Sequence, residues 1–135
     1  MPADSTRPRR VTLQLPREPL AARSARRMLT EFLVDAQLPT TVVRDAALVI
    51  SELVTNSVDH GRGNARDEIE VSWQLDALRL RLSVHDSGSG SIPMLRQAES
   101  RASRGRGLAI VAELSSSWSV EQHDGTRVIA VLPTR

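Results

Sequence analysis

The sequence contains no cysteine, no lysine and no tyrosine. A chain without cysteine cannot form a disulfide framework, a thiolate zinc site or a cysteine nucleophile. A chain without lysine has neither the lysine of a Walker-type P-loop nor an amine for Schiff-base chemistry. The aromatic residues, Phe32, Trp73 and Trp118, are too few to favour a nucleic-acid reader that stacks bases.

Membrane and secretion signals are also missing from the sequence. No apolar run approaches the roughly 18 residues that are needed to span a bilayer. Residues 1–10 are polar and charged, and they lack the apolar segment of a secretory signal. We therefore expect a cytoplasmic protein that does not insert into a membrane and in which residues 1–10 form a flexible tail.

Arginine supplies all 18 basic residues, and the 16 acidic residues reduce the net charge to +2. Residues 1–30 carry seven arginines and two acids (+5), whereas residues 31–135 carry eleven arginines and fourteen acids (−3). This basic N-terminal part is compatible with a solvated surface, a protein-binding surface or a weak, salt-sensitive nucleic-acid contact. Because no base-reading feature accompanies it, we expect no direct binding of nucleic acid.

The patterns of apolar residues predict one domain over residues 11–135, which is long enough to bury a core of its own. Alternation and helical spacing predict, in chain order, a strand at 11–15, helices at 20–36 and 40–60, a hairpin at 68–74 and 78–85, a helix at 105–116, and a hairpin at 118–122 and 126–132 across Asp124-Gly125. This order predicts an α+β fold, a two-layer sandwich with helices on one face of a sheet.

The second predicted helix carries a core-facing stripe and a pair of polar residues. Thr40 or Thr41 is expected to cap its N-terminus. The stripe is predicted to consist of Val43, Ala47, Ile50, Val54 and Val58. Glu52 and Asn56 are four residues apart and share another face, where they offer a base and an oxygen ligand for Mg²⁺. Such a pair is also typical of a solvated helix face.

Three glycine-containing motifs follow. In Asp86-Ser87-Gly88-Ser89-Gly90, which directly follows an apolar strand, a carboxylate can accept a donor from a flat heterocycle that glycines allow to pass close to the backbone. Gly105-Arg106-Gly107-Leu108 opens a predicted helix, where N–H groups favour phosphate and Arg104 and Arg106 add positive charge. Gly125-Thr126 opens the last strand. Each motif alone is also typical of an ordinary turn or helix start.

In this order, the four motifs resemble the N, G1, G2 and G3 boxes of the Bergerat ATP-binding fold of the GHKL ATPases, which include gyrase, histidine kinases and MutL. The resemblance covers nearly all of residues 11–132. It implies a mixed, mostly antiparallel sheet with helices on one face. The run from Ser51 to Gly61 is most similar to the stand-alone anti-sigma-factor serine kinases, which are abundant in actinobacteria.

The resemblance also implies a role for each motif residue. Asn56 would ligate the Mg²⁺ that bridges the ATP phosphates, Glu52 would be the general base, and Asp86 would accept the adenine amino group. Gly105 and Gly107 would donate backbone N–H groups to the phosphates. Gly88 and Gly90 would let the loop pass close to the adenine base. Thr126 would support the adenine end, either near Asp86 or through water.

A short lid over residues 91–104 would close over the nucleotide. The similar kinases carry Arg-Ser directly before the glycine pair, whereas this sequence has Ser103-Arg104. The arginine expected to reach the γ-phosphate is therefore displaced. Arg101 and Arg104 are the candidates to replace it.

Three functions remain open at this point. The resemblance implies an anti-sigma factor that uses ATP and Mg²⁺ to phosphorylate a serine of an antagonist protein, that sequesters a sigma factor, and that forms a homodimer. The displaced arginine favours a non-catalytic ATP-binding switch instead. A detached histidine-kinase catalytic domain is the weakest alternative, because His60 lies inside the ATP motif and is a poor phosphoacceptor.

Overall fold

The structure is a computed structural model that describes residues 9–88 and 102–135. Gly90 and the greater part of the predicted lid lie outside the described residues. The elements in chain order are β1 (Arg9–Pro16), α1 (Leu20–Asp35), α2 (Thr40–His60), β2 (Glu68–Leu75), β3 (Arg79–Asp86), α3 (Ala102–Leu114), β4 (Ser117–Gln122) and β5 (Thr126–Pro133). The predicted order of strands and helices is confirmed, although β1 begins at Arg9 rather than Val11.

The five strands form one sheet in the order β1-β2-β3-β5-β4. Each neighbouring pair is antiparallel, so the sheet as described is antiparallel throughout and not mixed. The predicted turn at Asp124-Gly125 joins β4 to β5, and both of its residues have positive φ angles, of 54° and 102°. Strand β3 occupies the centre of the sheet, so its last residue lies between β2 and β5.

One face of the sheet is apolar and packs under the helices, which confirms the two-layer sandwich. The apolar row Val11, Trp73, Leu82, Ala130 and Trp118 crosses all five strands in register. Leu29 and Leu33 of α1 are fully buried in the same core. The neighbouring residues of β1, Arg10, Thr12 and Gln14, are exposed on the other face. The alternation of apolar and polar residues along a strand such as β1 therefore determines which face of the sheet the helices cover.

Of the predicted stripe of α2, Ile50 and Val54 are fully buried, and Val43 and Val58 also pack against the core. The buried residues of α2 are Val42, Ala46, Val49, Ile50, Leu53, Val54 and Ser57. Val43 and Val58 pack only at the edge of the core. Since α2 contacts α1, α3 and the sheet, its buried face is wider than one stripe, and the tertiary contacts decide between apolar neighbours such as Val42 and Val43.

The predicted cap of α2 by a threonine is wrong. Thr40 is the first helical residue, and Pro39 occupies the N-cap position without a side-chain hydrogen bond. The carbonyl of Pro39 still accepts the N–H of Val43 at 3.1 Å, so the first turn closes through the backbone. Within the described residues, no helix is long and apolar enough to cross a membrane.

Candidate nucleotide-binding site

The carboxylate of Asp86 lies at the end of the central strand and is surrounded by hydrogen-bond donors. Asp86 is the last residue of β3 and is 7% exposed. Its Oδ1 accepts the backbone N–H of Gly88 at 2.7 Å and that of Arg62 at 3.5 Å. Its Oδ2 accepts the hydroxyl of Ser57 at 3.1 Å. The carboxylate is therefore fixed in place as a buried hydrogen-bond acceptor.

Two loops meet at this carboxylate. The N–H of Ser87 donates to the carbonyl of Arg62 at 2.8 Å, which ties the segment after β3 to the segment after α2. A Cβ atom on Gly61 would overlap Oδ2 of Asp86. The backbone at position 61 therefore packs against Asp86 more closely than a side chain there would allow.

Thr126 holds the backbone beyond Asp86. It is 5% exposed and pairs with Asp86 in the register between β3 and β5. Its hydroxyl donates to the carbonyl of Gly88 at 2.7 Å. Gly125, directly before it, has a φ of +102°, and a Cβ there would overlap the carbonyl of Asp86. The G3-like pair thus shapes the loop that carries Gly88, next to Asp86.

Glu52 and Asn56 lie one turn apart on α2, and both are half-buried. A Cβ atom on Gly107 would lie 2.6 Å from Oε2 of Glu52. Gly107 is buried, and the backbone of α3 approaches the Glu52 carboxylate so closely that a side chain at position 107 would displace this carboxylate. This contact joins the first and third motifs.

The helix start predicted at Gly105 is wrong, because α3 begins at Ala102. A backbone N–H inside a helix bonds to the carbonyl four residues earlier, so the N–H of Gly107 is engaged within α3. Its predicted role as a phosphate donor requires the first turns of α3 to open. Helix α3 also contains Arg104, Gly105, Arg106 and Leu108, whose side-chain surroundings lie outside the described part of the chain.

Sequence reasoning missed Ser57 and Arg62 as partners of Asp86. The signal for Ser57 was present, because Ser57 continues the buried stripe of α2 one turn after Leu53. A hydroxyl in a buried stripe needs a hydrogen-bond partner. The backbone contact from Arg62 has no such signal in the sequence. Among the described residues there is no group of three or more carboxylate or imidazole side chains arranged to hold a metal.

Comparison with known proteins identifies the class. The chain belongs to the histidine kinase-like ATPase domain family, which matches residues 15–132. This match and the observed sandwich confirm the GHKL resemblance that the four motifs indicate.

Among its relatives are proteins named serine-protein kinase RsbW, from Listeria innocua serovar 6a and Listeria monocytogenes serovar 1/2a. Each is 26% identical over 132 residues, which cover 89% of this chain and 84% of the relative. A similar solved structure contains the RsbU and RsbW domains of Rv1364c from Mycobacterium tuberculosis, with a TM-score of 0.71 and 25% identity. The match covers 94% of this chain but 33% of that longer one.

Proposed function

We propose that this protein is an ATP-dependent anti-sigma factor with protein-serine kinase activity, which acts in the cytoplasm. In this proposal it sequesters a sigma factor and phosphorylates a serine of an antagonist protein. The observation that carries the proposal is the buried carboxylate of Asp86, which is bonded to Ser57 of α2, the helix that also carries Glu52 and Asn56. The names of the relatives, which describe serine-protein kinases, support the same activity.

The residues around Asp86 fit an adenine base. A buried carboxylate that accepts hydrogen bonds suits the exocyclic amino group of adenine. Thr126 supports the loop beside this carboxylate through its bond to Gly88. Gly88 and Gly90 would allow the backbone to pass the base.

The polar face of α2 fits a magnesium-bound phosphate chain. Mg²⁺ prefers oxygen ligands and is commonly held by one or two protein oxygens together with substrate phosphates. The amide oxygen of Asn56 is the proposed protein ligand. When bound, the ion neutralises charge on the phosphate oxygens. Arg104 and Arg106 would add positive charge, and the N–H group of Gly105 would add a donor.

Glu52 is the proposed general base. It accepts the proton that the serine hydroxyl of the antagonist loses as its oxygen bonds to the γ-phosphorus, and ADP leaves. The close approach of Gly107 to Oε2 supports this role, because it restricts where the Glu52 carboxylate can lie.

Helix α1 is the proposed partner surface. Arg23, Arg26 and Arg27 are exposed and line a surface groove of about 610 Å³. Leu20, at the end of this groove, is 57% exposed, which adds an apolar contact to the positive charge. A sigma factor or antagonist with an acidic surface would bind here.

The test is a phosphotransfer assay with γ-labelled ATP and antagonist proteins of the native host. Label is expected to move to an antagonist serine, and Glu52→Gln should lose this transfer while it keeps ATP affinity. Tight ATP binding without label transfer to any antagonist would reject the kinase proposal. Co-purification from the native host would name the sigma factor.

A non-catalytic switch is the second candidate, favoured by the order Ser103-Arg104 before the glycine pair. In this alternative, ATP stabilises one state of the lid and thereby changes affinity for the partner. It predicts partner binding that depends on ATP in the Glu52→Gln variant as strongly as in the wild type.

A further inference from the structure

The hydroxyl of Ser57 forms a buried link between helix α2 and the base-reading carboxylate. Ser57 is 6% exposed and Asp86 is 7% exposed, and the hydroxyl of Ser57 donates to Oδ2 at 3.1 Å. Because both side chains are buried, bulk water cannot replace this bond. Ser57 directly follows Asn56, so one turn of α2 holds both the proposed metal ligand and the partner of Asp86.

Hydrogen bonds to both oxygens fix the plane of a carboxylate, whereas hydrogen bonds to one oxygen alone allow it to rotate. The N–H groups of Gly88 and Arg62 hold Oδ1 at 2.7 Å and 3.5 Å, and Ser57 holds Oδ2 at 3.1 Å. The Gly88 bond is local, and the Arg62 contact is longer and comes from the loop after α2. Of these three donors, Ser57 is the one that belongs to α2, so its bond fixes the direction of Oδ2 relative to that helix.

The direction of this hydrogen bond also determines what the site offers to a ligand. An ionised carboxylate only accepts hydrogen bonds, so the hydroxyl hydrogen of Ser57 must point at Asp86. The oxygen atoms of Ser57 and Asp86 can then only accept hydrogen bonds from a ligand. A 6-amino group of a purine donates to such an edge, whereas a 6-keto oxygen meets acceptors and leaves its own lone pairs unsatisfied.

We propose that Ser57 is a positioning residue that makes the site selective for 6-aminopurine nucleotides by orienting Asp86 and by committing its own hydrogen to it. This inference rests on the proposed function, because it requires that ATP binds at Asp86. It gives a measurable task to a residue to which the family resemblance assigns no role.

The experiment compares three nucleotides by calorimetry: ATP, GTP and purine riboside triphosphate, which lacks the 6-amino group. Ser57→Ala is expected to weaken ATP about tenfold or more, because a hydrogen bond to a charged group is lost. The affinity for the 6-unsubstituted analogue should stay within about twofold, and discrimination against GTP should fall. Ser57→Thr, which keeps the hydroxyl, should restore the preference for ATP.

The control is Thr55→Ala, which removes a hydroxyl from an exposed position of the same helix and should change no ratio. In an Asp86→Asn background, Ser57→Ala should have no further effect on the ratio of ATP to analogue affinity. Equal losses for ATP and the analogue in Ser57→Ala would indicate a merely structural role and overturn the inference. An ATP affinity that stays at the wild-type value in Ser57→Ala would overturn it as well. A wild-type protein that binds no ATP would instead reject the proposed function itself.

Discussion

Replacing Gly107 by alanine should slow the proposed phosphotransfer and leave the free energy of unfolding nearly unchanged. The added Cβ would lie 2.6 Å from Oε2 of Glu52, and an ordinary contact begins at 3.4 Å. The carboxylate oxygen must therefore retreat by about 0.8 Å. Since Oε2 is the end of a flexible side chain, the helix can stay in place while Glu52 moves.

The two effects on stability should nearly cancel. Alanine is better than glycine inside a helix by about 1 kcal/mol. A displaced, off-rotamer Glu52 costs about 0.5–1.5 kcal/mol. We expect the free energy of unfolding to stay within about 1 kcal/mol of the wild type, as measured by urea denaturation.

Phosphotransfer should respond much more strongly. A misplacement of about 1 Å in a positioned catalytic group can cost on the order of 100-fold in rate. A single-turnover assay with γ-labelled ATP and the antagonist should therefore lose about one to two orders of magnitude in rate. ATP affinity, measured in parallel, should change little.

Ala112→Gly is the matched control, because Ala112 is exposed on the same helix. It should lower the free energy of unfolding by about 1 kcal/mol and leave transfer unchanged. A Gly107→Ala protein that transfers phosphate at the wild-type rate would refute the reasoning. It would mean that the position of the Glu52 carboxylate in this conformation has no bearing on catalysis.

The remaining predictions concern binding, core packing and pH. Asn56→Ala should abolish magnesium-dependent ATP binding in calorimetry, and unchanged affinity would reject the assignment of the ligand. Trp73→Ala should lower the free energy of unfolding by about 3–5 kcal/mol in urea, because Trp73 is 2% exposed and packs edge-on against Phe32; a loss below about 1 kcal/mol would contradict this. Two backbone N–H groups of the β2–β3 turn lower the pKa of Asp76 from 3.8. Its stabilising contribution should be complete above pH 3.8 and disappear as the pH falls through the lower folded value, so the unfolding curves of wild type and Asp76→Ala should converge in acid. A difference that persists in acid would argue against this.

Local patterns in the sequence were sufficient to predict the elements of the fold. Alternating apolar residues predicted the strands β2 and β3, and the glycine after Asp124 predicted the turn between β4 and β5. Both signals depend only on neighbouring residues, and both predictions are confirmed. The start of α3 was misplaced because Gly105 and Gly107 read as the opening of a helix. Gly107 instead lies inside α3, next to Glu52, a residue that is remote in the chain.

Residues close together in the chain were enough to predict the order of strands and helices, the family resemblance and the four motifs. The buried face of α2, the hold of Ser57 and Gly88 on Asp86, and the close approach of Gly107 to Glu52 became visible only in the folded chain. These contacts, apart from the local one from Gly88, join residues far apart in the chain. They exist because β3 lies at the centre of the sheet beneath α2 and because α3 packs on α2. No local spacing encodes such packing, which is why the site could be predicted as a set of motifs but not as an arrangement of atoms.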